Sequence, residues 1–277
     1  LPVITSGNVT VQNSRSLSTN SAGSVGLLTQ SIAGGGGYIA QTGNSNEYSI
    51  TFGSTGEINA TAGSVTVNNS SKTITTKADY SPSLVAQSVG GGGGYALLSA
   101  SGNGSQRIGA TKNNQGSANS GNVTIKNSAI LYTAGKFSTA LTAQSIGGGG
   151  GVISSAAGDL SLGTLDHQGS AASGDMNVTN TNLIQTDGDY SGAIVIQSIG
   201  SGGGFVAGAS GGKANLGATN GLSKTLGTSG TITLKSEGKS IKTSGIGATA
   251  ILAQSIGGGG GFIGSSADGV KLGGSNL

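Results

Sequence analysis

Apolar residues two positions apart recur five times along the chain: Val9 and Val11, Val65 and Val67, Val123 and Ile125, Met176 and Val178, Ile232 and Leu234. That spacing puts both side chains on one face of a β-strand. A Gly or Ser-Gly precedes each pair, as in Ser6-Gly7, Ser120-Gly121 and Ser173-Gly174, which is strand punctuation. Downstream stands a branched aliphatic residue (Leu17, Ile74, Leu131, Ile184, Ile241), and two residues later a threonine: Thr19, Thr76, Thr133, Thr186 and Thr243. An apolar lead-in (Leu27, Leu84, Leu141, Ile194, Ile251) then introduces a glutamine, a glycine run and a further hydrophobic step at Tyr38, Tyr95, Val152, Phe205 and Phe262. A short apolar-Gly element closes each unit, from Phe52-Gly53 to Leu272-Gly273. Nothing follows the helical period of 3.6, so the pattern predicts short strands of roughly three to six residues joined by turns.

The glutamines Gln30, Gln87, Gln144, Gln197 and Gln254 are separated by 57, 57, 53 and 57 residues. So regular a period marks a repeat architecture. Short strands stacked in parallel predict an all-β fold, a parallel β-solenoid forming one domain over 1–277. Its five repeats span approximately 1–58, 59–115, 116–168, 169–225 and 226–277. The simplest division of each repeat is three coils of roughly 19 residues, giving a rod of roughly 70 Å; two larger coils fit the spacings less well. In that geometry equivalent glutamines lie about 14 Å apart, and each is expected to bond backbone groups locally. One very wide coil per repeat would instead let them form an amide ladder. The apolar columns at Leu84 and Val89 differ by an odd number, so either this strand is buried on both sides or the chain turns near Gln-Ser.

Composition narrows the core. Gly supplies 56 of 277 residues, charged residues 8% and aromatic residues 4%, far from the usual balance of a soluble domain. So few large apolar side chains fill only a narrow interior completed by stacking neighbours. The net charge is +3, and its basic residues are scattered, with a mild cluster only at Lys235, Lys239 and Lys242. A nucleic-acid partner needs a dense basic face, so none is expected. With no cysteine there is neither a disulfide framework nor a thiolate metal site. No apolar run reaches the length of a membrane-spanning helix, so no direct insertion of this segment is expected. A start at Leu1 without a signal peptide reads as a mature piece or an excised segment.

Candidate chemistry is sparse. None of the glycine runs is followed by the Lys of a phosphate-binding loop, and none carries the Asp of calcium-binding nonapeptide repeats. Asp187 and Asp189 form the only close carboxylate pair, which a turn explains. His167 sits singly beside Asp166 in a variable loop and reads as a solvated residue. No catalytic, cofactor-binding or metal-binding residue is therefore expected. The glycines read either as tight corners or as a side-chain-free stripe where another backbone, sheet or subunit packs closely, and the stripe is the candidate interface. That candidate interface comprises Gly34, Gly35 and Gly36; Gly91, Gly92 and Gly93; Gly148, Gly149 and Gly150; Gly202 and Gly203; and Gly258, Gly259 and Gly260.

The repeated LxAQSIGGGGG phrase, as in Leu141 to Gly151 and Ile251 to Gly261, resembles one in large secreted proteins of Gram-negative bacteria. It is similar to the β-solenoid passenger regions of autotransporter and giant-adhesin-like surface proteins. The resemblance implies export, a parallel β-solenoid, and display at the cell surface, with no catalytic residues carried over. The expected function is a non-enzymatic structural or adhesive rod that self-associates or meets a host or neighbour cell surface. A carbohydrate-binding or carbohydrate-active β-helix is the alternative, and ice binding through the Thr column ranks below it.

Overall fold

A computed structural model describes residues 1–41, 49–53, 58–98, 104–109, 116–154, 158–163, 169–210, 212–217, 227–266 and 268–273. In the first repeat the chain forms β1 (Val3–Thr5), β2 (Val9–Asn13), β3 (Leu17–Thr19), β4 (Leu27–Ile32), β5 (Gly36–Gln41) and β6 (Ile50–Phe52). The same six elements return in every repeat, and each pairs in parallel with its counterparts to make six five-stranded sheets. Val3 pairs with Asn59, Leu17 with Ile74, and Gln30 with Gln87.

The β-solenoid fold is as expected, but the three-coil division is not. One repeat makes one wide coil, because a strand's hydrogen-bonded neighbour lies a full repeat away. Five coils at about 4.8 Å spacing extend roughly 20 Å from first to last, not the roughly 70 Å of fifteen narrow coils. The segment is thus short along its axis for its perimeter.

β4 and its counterparts divide the coil's interior. In the second to fourth coils all six residues of this strand are buried, so the odd spacing reflects burial on both faces. Leu84, Ala86 and their equivalents pack with Val65, Val67 and Ile74 in the largest core. Val85 and its equivalents face the other way, toward Tyr95, Leu97 and Phe205. Beyond β5 a further core joins Ala96 and Ile153 to Ile108, Leu160 and Leu162 of the sixth sheet. Alternation of residues along β5 thus serves two cores at once.

An aromatic column runs beside this second lobe. Tyr80, Phe137 and Tyr190 stack with ring centroids 5.2 and 5.5 Å apart. All three have left-handed backbones, with φ of 56°, 55° and 54°, a region that costs a non-glycine residue about 1–2 kcal/mol. Gly23 and Gly247 occupy the same turn in the outer coils, with φ of 72° and 65°. Stacking offsets the strain, since each aromatic pair contributes about 0.5–1.5 kcal/mol beyond its buried area. Phe137→Ala is expected to lower stability by about 3 kcal/mol, and Phe137→Gly by about 1 kcal/mol less, because glycine relieves the backbone strain. Denaturant midpoints of the two variants check the ranking; glycine proving the worse would mean that the turn is unstrained.

Candidate functional site

The Gln-Ser phrase is the most polar part of the buried wall, and the two side chains point to opposite faces. Gln87, Gln144 and Gln197 are fully buried. Each glutamine Nε2 donates to the Oε1 of the glutamine one coil on, at 2.7, 2.7, 2.7 and 2.8 Å from Gln30 through to Gln254. The same nitrogen donates within its own coil to a glycine carbonyl, Gly37 for Gln30 at 3.2 Å and Gly94 for Gln87 at 3.3 Å. The expected local role is present, and the ladder set aside with the three-coil geometry is present beside it. Both amide hydrogens are satisfied, as burial requires.

The serines make a second set of clasps. Ser31 Oγ donates to the Gly7 carbonyl at 2.8 Å and accepts from the Gly63 N–H of the next coil at 3.0 Å. Ser88, Ser145 and Ser198 repeat this arrangement. A third, buried ladder joins Asn13, Asn69, Asn127 and Asn180 at 2.7–2.8 Å and meets Ser236 in the last coil. Sequence reasoning passed over these serine and asparagine columns, although each recurs at the repeat period.

The threonine column closes a turn rather than facing outward. Thr19, Thr76, Thr133 and Thr186 donate to the carbonyl five residues on, at 2.5–2.9 Å, and the last three are fully buried. That burial removes the Thr column as an ice-facing array.

The glycines of the proposed stripe meet this chain's own backbone. Gly91, Gly92, Gly93, Gly148, Gly149, Gly150, Gly202 and Gly203 are all buried. A Cβ on Gly93 would stand 1.8 Å from the Gly150 carbonyl oxygen, and one on Gly150 would stand 1.9 Å from that of Gly203. The close approach expected of a partner subunit is therefore made by the adjacent coil. Gly34, Gly259 and Gly260 are buried too, whereas Gly35, Gly36 and Gly258 are exposed on the two outer coils.

The acidic residues also join coil to coil. Asp79, Asp159, Asp175 and Asp189 each accept the backbone N–H of a residue one coil on, Lys136, Lys213, Thr231 and Ile246, at 2.8–2.9 Å. Asp189 also meets Lys136 Nζ at 3.1 Å. Asp187 accepts from Gln185 at 3.0 Å, Tyr132 Oη at 2.7 Å and Ser244 Oγ at 3.0 Å. Those bonds, from Gln185 first and Tyr132 second, hold its carboxyl below the ordinary range. A depressed carboxyl favours the fold above its unfolded value and loses that contribution as pH falls through its folded one. Asp187→Asn is accordingly expected to flatten the acid limb of a stability-against-pH curve slightly, as read by thermal melts; an unchanged limb would leave the bonds without energetic weight.

Among the described residues, no three His, Cys, Asp or Glu side chains gather closely enough to hold a metal ion. Burial pushes the Tyr95 phenol up to about 12, outside acid–base work near neutrality. His167 and Asp166 lie outside the described residues. No helix among those residues is long and apolar enough to cross a membrane. The arrangement is built to join coils, and its polar groups are chiefly spent on one another. No protein-family model, curated protein or solved structure matches this chain.

Proposed function

We propose that this chain is a non-enzymatic, extracellular structural or adhesive module of a bacterial surface protein, a stacking block from which a stiff rod is built. The observation that carries this reading is the continuity of its columns: all six sheets keep their pairing through all five coils. Coils tied to one another through six sheets resist bending, which suits a spacer that holds something away from a surface. Export and cell-surface display rest on the resemblance of the AQSIGGGGG phrase. The partners are copies of itself, or the surface of a host or neighbouring cell. Its self-contacts belong to the outer coil faces, where Val3, Ile4, Ile251 and Leu272 are exposed. Those faces present unpaired strand edges and take a further coil of the same register, whether from one polypeptide or another.

Electron microscopy and native mass measurement across a concentration series test this reading. Assemblies that lengthen along the solenoid axis are the expected result. Single copies at every concentration would remove self-association, and cleavage of any member of a polysaccharide panel would overturn the non-enzymatic reading.

A further inference from the structure

A groove of about 330 Å³ lies on the outside of the solenoid and spans its three middle coils. One wall is Asn68, Lys126 and Thr179, which are register partners on the second sheet. The other is Ser70, Ser128 and Thr181. Between the walls run Asn69 and Asn127, whose side chains belong to the buried amide ladder, so an intervening residue turns inward while both neighbours face out. The groove therefore has a floor tied to the core, and walls whose polar groups repeat at the coil spacing of about 4.8 Å.

These wall groups are largely uncommitted. Lys126 is exposed and takes no part in the ion pair found among the described residues. The hydroxyls of Ser70, Ser128 and Thr181 make only long bonds of 3.4 Å to carbonyls of the preceding coil, leaving them able to turn toward a ligand. Among the described residues, no acidic or aromatic side chain lines the groove.

We propose that this groove binds an extended acidic oligosaccharide along the solenoid axis, one sugar per coil, with Lys126 holding a carboxylate. The match of periods favours this class. An extended β-1,4-linked hexose chain advances by close to one coil spacing per sugar, so that the same edge recurs every second sugar and close to every second coil, and it offers hydroxyls along both edges. An extended peptide advances about 3.3 Å per residue, with side chains on one face about 6.6 Å apart, and falls out of step. Single-stranded nucleic acid needs a basic track and stacking platforms, and the groove has one lysine and no ring. The Asn68 amide and the Ser and Thr hydroxyls of the walls are groups that can bond sugar hydroxyls, while the single cation selects an anionic chain.

Calorimetric titration of the full chain tests this, with a β-linked mannuronate tetramer as ligand, cellotetraose as its neutral analogue, and tetraglutamate as a charged peptide control. Mannuronate is expected to bind most tightly. Lys126→Gln should lower its affinity about tenfold, the weight of one charge-assisted hydrogen bond, and leave cellotetraose unchanged. Lys136→Gln, in another column and paired with Asp189, should leave both unchanged, and circular dichroism of the exposed-site variants should match the parent. Absence of mannuronate binding, equal binding of tetraglutamate, or indifference to Lys126→Gln would each overturn the proposal.

Discussion

Gly93→Val is expected to prevent the second and third coils from stacking, with a loss of at least about 4 kcal/mol, in the range reserved for severe core lesions. Two independent effects add at this position. Its φ of 151° lies in a region open almost only to glycine, costing other residues about 1–3 kcal/mol. Any Cβ there would also stand 1.8 Å from the Gly150 carbonyl oxygen, a backbone atom that a rotamer change cannot move. Relief requires the two strands to part, which breaks the ladder from Gly93 to Gly150 and disturbs the carbonyl of Gly94 that Gln87 holds. Gly258→Val is the control, because a Cβ at that glycine meets nothing within 4 Å. Circular dichroism and denaturant midpoints read the contrast. If Gly93→Val folds as stably as Gly258→Val, the glycine run is not needed for close coil contact.

Gln144→Leu should rank next, at about 3–5 kcal/mol. The change keeps the volume but leaves the Gln197 Oε1 and Gly151 carbonyl without this donor, and Gln87 Nε2 without its acceptor in the next coil. Each buried polar group left unpaired costs about 1–3 kcal/mol. The same replacement at Gln254, which is only half-buried in the last coil, should cost about 1 kcal/mol or less. A central lesson of this size also separates the outer coils energetically, because each coil contacts only its neighbours. Unfolding of Gln144→Leu should then broaden or split, whereas a sharp transition shifted by less than about 1 kcal/mol would show the ladder to be passive.

The fold class was legible because two periods coincide in the sequence. Alternation by two in Val9 and Val11 gives strands, and the return of Gln30 at Gln87 gives the stack. Double burial of β4 was legible as one of two readings, from the odd spacing of Leu84 and Val89. Coil size was misjudged because strand periodicity reports faces and says nothing about how many corners close a loop. A clue existed in the unlikeness of the elements within one repeat. Three stacked coils would need thirds that resemble one another, yet each repeat has one Gln-Ser pair and one glycine run. Once one coil spans a repeat, every recurring column becomes a line of touching side chains. That is why Ser31, Ser88 and Ser145, read merely as companions of glutamine, prove to be clasps between coils. The outer groove was not legible, since its wall residues Asn68, Lys126 and Thr179 become neighbours only once one coil spans a repeat.

The glutamine column has an electrical consequence. Every amide from Gln30 to Gln197 donates toward the higher-numbered coil, so their dipoles add. Successive peptide groups within each strand point alternately up and down the axis and largely cancel, leaving the side-chain column as an uncompensated line of aligned dipoles in a poorly screened interior. One outer coil presents the acceptor end of that line at Gln30, and the other presents the donor end at Gln254. The two faces of the stack are therefore opposite in polarity even where their formal charges are alike, and a coil can join either face in only one sense.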